Sequence, residues 1–235
     1  MATAAKKLPK SREIVSQAWS SYRLHYKKYW TYIGPLFLGF IAAEILVATG
    51  NETMMVLGSI LYAASAIYSI WMTIVLTRLV SQGITGKKTL DEAKAKNKVW
   101  SRVLPWVGVS IVTGLVILAG TFAFIIPGII LAMMYFTSQY DVIVANKGVH
   151  ESISNSIKIT KGKKMNLFWT ILWASIIVLL IYVVIAGVIG GALSALLAGV
   201  GNHELGVNIG TLVAETLTIP MFLGISLALY HELKK

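Results

Sequence analysis

The stretch KITKGKKMNLFWTILWASIIVLLIYVVIAGVIG, residues 158–190, decides how the chain is read. Lys158, Lys161, Lys163 and Lys164 crowd its start, and no Lys, Arg, Asp or Glu then occurs until Glu204. A helix crosses membrane hydrocarbon with about 20 mostly apolar residues, and 166–189 supplies such a run. Outward from it, the same alternation recurs. All 21 Lys and Arg fall into four stretches: before residue 30, between Arg78 and Arg102, between Lys147 and Lys164, and at Lys234 and Lys235. The connections near 49–53, 127–128 and 190–208 contain none. Basic residues resist translocation and mark the cytoplasmic side. The pattern predicts spans at 30–48, 53–80, 106–126, 129–145, 166–189 and 209–230, with both termini cytoplasmic. Pro127 and Gly128 supply a tight reversal between the third and fourth.

Composition points the same way. With 56% hydrophobic and 13% charged residues over 235 positions, the chain is too apolar for a soluble domain. The net charge of +11 is carried in short clusters beside apolar runs. That footprint suits anionic headgroups and not a duplex, so membrane lipids are the expected partners and nucleic acid is not. Lys27, Lys28, Lys87, Lys88, Lys163 and Lys164 flank the spans as candidate headgroup contacts. Cysteine is absent, which excludes disulfides and thiolate metal sites. The N-terminal segment is basic and then amphipathic, unlike a cleavable signal peptide.

Three cytoplasmic stretches, 11–29, 89–101 and 149–161, read as helices lying on the membrane. In the first, Ile14, Val15, Ala18, Trp19, Tyr22, Tyr26 and Tyr29 recur at helical spacing opposite a basic face. In the second, Thr89 and Glu92 resemble a capping box. In the third, Val149, Ile153 and Ile157 share one side. A surface helix followed by two spans, three times over, suggests an internal pseudo-threefold repeat. The expected fold is all-α: one integral membrane domain, 1–235, as a polytopic bundle of six transmembrane helices and three amphipathic interfacial helices.

Ionisable groups within hydrocarbon are costly and invite a functional reading. Glu44 and Glu215 qualify, at similar depths from the external side, which allows both to face one outward cavity. Asn208, Thr211, Glu215 and Thr218 form a polar stripe, as do Ser59, Tyr62, Ser65, Ser69, Thr73 and Thr77. Glu44, Glu215, Thr211, Asn208 and Tyr62 are therefore the candidate intramembrane site. Arg78 and Asp141, near the inner ends of their spans, are expected to form an inter-helix ion pair. Ser and Gly at four-residue spacing, as in Ser110/Gly114 and Gly187/Gly191, read as packing seams. HExxH, GxSxG and P-loop signatures are all missing, so catalytic residues, metal ligands and cofactors are not expected.

Pro127-Gly128-Ile129-Ile130-Leu131, then Val149-His150-Glu151-Ser152-Ile153-Ser154-Asn155-Ser156, then Ile159-Thr160-Lys161-Gly162 and Phe168, carry a family resemblance. With the ending Leu229-Tyr230-His231-Glu232-Leu233-Lys234, the chain resembles the membrane domain fused to some bacterial glycerophosphoryl diester phosphodiesterases and found alone in many prokaryotic six-span proteins. The resemblance implies the cell membrane of a bacterium or archaeon. The catalytic barrel of those phosphodiesterases has no counterpart here, so their activity is not implied.

Two readings follow. The favoured one is a non-catalytic membrane module that associates with anionic lipid, or with a partner protein or second copy, at the cytoplasmic face. The alternative is a transporter or channel for a small solute or ion, with an outward cavity lined by Glu44 and Glu215. The topology is testable by itself. Reporters fused at Asn51, Gly128 and Gly201 are expected to read outside, and those at Lys94, Lys161 and Lys235 inside. An inside reading at Gly201 would break the six-span pattern.

Overall fold

The lysine cluster and apolar run of residues 158–190 divide as expected, into a short helix on the polar side and a long apolar one. A computed structural model describes residues 9–199 and 201–235, so Lys6 and Lys7 of the first basic group lie outside it. Among the described residues the chain forms nine helices: α1 (Ser11–Ala48), α2 (Glu52–Ile84), α3 (Glu92–Lys96), α4 (Trp100–Ala123), α5 (Ile125–Tyr135), α6 (Ser138–Ile143), α7 (Val149–Thr160), α8 (Lys164–Ala198) and α9 (His203–Leu233). None of these residues is in a strand. Five helices, α1, α2, α4, α8 and α9, are long and apolar enough to cross a membrane.

The fourth expected span, 129–145, is not one helix. It divides into α5, with 11 residues, and α6, with six, parted at Phe136 and Thr137. The break is held by Ser156 of α7. Its Oγ donates to Met134 O at 2.7 Å and accepts from Thr137 N at 3.2 Å and Thr137 Oγ1 at 2.9 Å. Backbone groups released by the break thereby find a partner, which their burial requires. The same face of α7 carries Ser152, Ser156 and Thr160, all fully buried, while Val149, Ile153 and Ile157 are only partly covered. The reversal before α5 also differs from expectation. It falls at Phe124, an extended residue, and Pro127 and Gly128 lie in the first turn of α5. A side chain at Gly128 would meet Thr121, with its Cβ 2.9 Å from Thr121 Cα, so glycine is what lets the two helices close up.

The stretch 11–29 is not a separate surface helix but the first half of α1. At 38 residues and 1.5 Å per residue, α1 is about 57 Å long and overshoots a roughly 30 Å hydrocarbon layer. Its overhang packs on protein. Ile14, Ala18, Ser21, His25 and Tyr29 are buried, at helical spacing. They face α2 and α9: a Cβ added at Gly83 would sit 2.5 Å from Ser21 Oγ, and one at Gly224 would sit 3.2 Å from Ala18 Cβ. Part of the apolar face assigned to lipid is thus covered by neighbouring helices, and Trp19 and Tyr26 remain about half exposed. The stretch 89–101 shortens to α3, capped not by a Thr89 box but by Asp91, whose Oδ1 accepts from Lys94 N at 2.9 Å. The connection 190–208 is largely helical, since α8 runs to Ala198 and α9 starts at His203. As for a threefold repeat, the hairpins differ: 38 and 33 residues in α1–α2, 24 and 11 in α4–α5, 35 and 31 in α8–α9.

Helix α9 is the centre of the bundle. Of its most apolar window, 56% is buried, against 11% for α4 and α8. It meets α8 along glycines, with a Cβ at Gly210 placed 2.3 Å from Gly190 Cα and one at Gly206 placed 2.3 Å from Ser194 N. The expected seams at Gly187/Gly191 and Gly114 are not contacts, for a Cβ there has nothing within 4 Å. On its outer face α8 exposes Leu180, Val184 and Val188, a stripe suited to lipid and unfavourable in water. Gly210→Val is expected to lower stability in detergent by roughly 1–3 kcal/mol, the usual range for forcing methyl groups into a closed contact. Gly187→Val should leave thermal unfolding of the purified protein unchanged.

Candidate functional site

A cavity of about 930 Å³ opens between α1, α2, α4, α6, α8 and α9. Leu36, Met72, Leu76, Leu179, Phe222 and Leu223 typify its apolar walls. The hydroxyls of α2 that face it are already engaged along their own helix. Ser69 donates to Ala66 O, Thr73 to Ser69 O and Thr77 to Thr73 O, each at 2.7 Å. On α9, Thr218 donates likewise to Ala214 O at 2.8 Å. A hydroxyl bonded to its own backbone offers a neighbour little beyond its methyl or methylene surface. Glu215 and Gln139, with the hydroxyls of Ser175, Tyr140 and Tyr182, are the polar groups that remain on the walls. The cavity is therefore a greasy chamber with a few polar points, the ordinary character of a site for an apolar ligand.

The intramembrane residues singled out from sequence separate into two places. Glu44 accepts a hydrogen bond from Tyr62 Oη on one carboxylate oxygen and from Asn208 Nδ2 on the other. This joins α1, α2 and α9, with the Phe40 ring 5.9 Å from the Tyr62 ring centre. Thr211 turns back onto Asn208 O of its own helix at 2.7 Å. Glu215, which lines the large cavity, has no side-chain hydrogen bond to another described residue, and Glu44 is not on that cavity's walls. The two carboxylates thus do not share one chamber. Glu44 is satisfied by two donors, the state expected of a polar residue that ties helices together.

Arg78 and Asp141 do not pair. Arg78 sits where helices end and carbonyls are left unpaired: its Nε donates to Ile143 O at 3.0 Å, and Nη1 to Ala95 O at 3.0 Å and Asn97 O at 2.6 Å.. The planar fork of a guanidinium suits such a set of acceptors. Asp141 is fully buried and faces α7 and α9 instead. It accepts from Asn155 Nδ2 at 2.6 Å and Tyr230 Oη at 3.0 Å, and pairs with Lys234 Nζ at 3.0 Å. Lys234 also lies 4.4 Å from the centre of the Tyr230 ring. Sequence reasoning missed this cluster as a unit, although Asn155, Tyr230 and Lys234 all stand in the motif stretches quoted above. What joins them is Asp141, a residue from a different helix.

The candidate headgroup lysines gather at the end of the bundle that carries the basic loops. Lys28 is committed to Glu92, which also takes Tyr32 Oη and, at 3.4 Å, Lys96. The Lys28 contact, followed by that of Tyr32, holds the Glu92 carboxyl at about 2, below its ordinary 4.5, and docks α3 against α1. Among the described residues Lys27, Lys87, Lys88, Lys163 and Lys164 are in no ion pair. No cluster of three His, Cys, Asp or Glu residues able to hold a metal ion occurs among the described residues. The chain matches no protein-family model, no curated protein and no solved structure.

Removing a partner from a buried, bonded charge usually destabilises by about 3–5 kcal/mol, because the remaining groups stay desolvated and unpaired. Asp141→Ala is expected to fall in that range. In a double-mutant cycle with Lys234→Ala, the two changes should couple by about 1 kcal/mol or more, since contacting residues are not additive. Equal and additive losses in detergent unfolding would show that the pair contributes nothing specific.

Proposed function

We propose that the chain is a non-catalytic integral membrane module that holds lipid. It crosses the membrane six times, with α5 and α6 together making the fourth crossing, and its basic end faces the cytoplasm and meets anionic headgroups there. The observation that carries this reading is the chamber of about 930 Å³ whose walls are largely apolar and whose Ser69, Thr73, Thr77 and Thr218 hydroxyls are bonded to their own helices. Such a lining favours an acyl or isoprenoid chain, which asks for no hydrogen bonds, over a hydrated solute. Asymmetric placement of Lys and Arg supports the orientation. The resemblance to the membrane domain of glycerophosphoryl diester phosphodiesterases supports a prokaryotic cell-membrane setting and supplies no reaction. Transport through a chamber shared by Glu44 and Glu215 has less support, because only Glu215 lines the large cavity.

Native mass spectrometry of the purified protein tests the proposal. Wild type is expected to retain a lipid through detergent exchange that strips annular lipid. Thr73→Trp, which fills the chamber from α2, should lose it while elution and helical content stay the same. A wild-type protein free of lipid, or a Thr73→Trp protein that keeps it, would sink the reading.

A further inference from the structure

A second, separate pocket of about 500 Å³ lies at the basic end, between the last turns of α2, the α3–α4 segment and the α6–α7 loop. Five of its lining residues are cations: Arg78, Lys87, Lys94, Lys98 and Arg102. No carboxylate lines it, and Val144 is its one apolar wall residue. None of the five cations is ion-paired to a described Asp or Glu, in contrast to Lys28, Lys96, Lys147, Lys234 and Lys235, each of which is. The two nearest carboxylates in sequence are engaged elsewhere: Asp91 caps α3, and Glu92 pairs with Lys28 and Lys96.

Two guanidiniums bond the same residue of this pocket, one at its side chain and one at its backbone. Arg78 Nη2 donates to Asn146 Oδ1 at 3.2 Å, and Arg102 Nη1 donates to Asn146 O at 2.7 Å. Their positive charges are thereby held close with no counter-charge, and Arg102 Nε is buried without a hydrogen-bond partner. Like charges held together in this way are costly unless an anion offsets them. The backbone gives an independent sign. Among the described residues, the non-glycine positions with positive φ are Lys98, at 49°, and Asn146, at 56°, and both line this pocket. Such backbone conformations cluster at ligand-binding sites, where the surrounding structure holds them in place.

We propose that this pocket is an anion site that takes a phosphate group, with Arg78 and Arg102 as its fixed frame and the ammoniums of Lys87, Lys94 and Lys98 closing around the ligand. Arg78 is committed to three carbonyls and a side-chain amide, so it contributes charge and rigidity. Arg102 Nη2, which has no partner among the described residues, and the lysines contribute the free donors. A phosphate has several acceptor oxygens and more than one negative charge as a monoester, which matches a set of donors converging without a carboxylate. A single carboxylate would leave most of them unanswered. The group can arrive on a phospholipid or in solution. The site stands whether or not a chain fills the apolar chamber, so failure of one result leaves the other readable.

The test is calorimetric titration of the full chain in a phosphate-free maltoside detergent, with chloride at matched ionic strength as the baseline. Inorganic phosphate and a short-chain phosphatidic acid are the two titrants. Binding above the chloride baseline is expected. It should weaken roughly tenfold in Arg102→Gln, the loss of one charge-assisted hydrogen bond. The double variant Lys94→Gln/Lys98→Gln, altered at exposed positions that no helix packing needs, should weaken it as well and keeps the test valid if Arg102→Gln fails to fold. Binding of phosphatidic acid alone assigns the site to a lipid headgroup; binding of inorganic phosphate, with or without the lipid, assigns it to the phosphate group itself. No binding of either titrant above chloride, or unchanged affinity in the folded variants, would overturn the proposal.

Discussion

Hydrocarbon offers a peptide group no hydrogen-bond partner, so a chain in it must satisfy its own backbone. Most of the molecule does so by being helix. The informative places are where it stops. At Phe136–Thr137 the hydroxyl of Ser156 bridges Met134 O and Thr137 N. At the basic end, Arg78 gathers the carbonyls of Ala95 and Asn97, at the end of α3, and of Ile143, the last residue of α6. Without that guanidinium the α3–α4 and α6–α7 connections would leave acceptors stranded beside the bundle. One residue of α2 thereby ties the ends of α3 and α6 together.

Around it the polar residues act as ties between helices. Glu44 joins α1, α2 and α9 towards one end, and Asp141 joins α6, α7 and α9 towards the other. Both are acidic, and both are met by donors from neighbouring elements. Such ties matter in a bundle of this kind because apolar packing distinguishes poorly between a helix neighbour and lipid. Close approach supplies the rest of the specificity. The α8–α9 contact runs over Gly190, Gly206 and Gly210, where backbone meets backbone.

The two cavities are neighbours of opposite chemistry. Ile143 lines the apolar chamber, Arg78 lines the basic pocket, and the bond from Arg78 Nε to Ile143 O, at 3.0 Å, joins their walls. Apolar volume thus borders concentrated positive charge. The overhang of α1 reinforces this end by burying Ile14, Ala18 and Tyr29 against α2 and α9.

The amino-acid sequence by itself determined the class of the molecule. Apolar runs long enough to cross a membrane and basic residues confined to alternate connections are one-dimensional signals, and five long apolar helices answer to them. It also marked Glu44, Tyr62 and Asn208, since polar residues stand out against an apolar run. Tertiary structure alone decided which partners those residues take. Periodicity places Ile14 and Tyr29 on one face of a helix but cannot say whether protein or lipid covers it, because both are apolar. Nor can it foresee that 129–145 breaks, since the break depends on a serine hydroxyl supplied by another helix. Arg78 and Asp141 are equally hard to read in isolation. They share an end of the bundle, yet which acceptors and donors reach each of them is set by how α3, α7 and α9 arrive there in space.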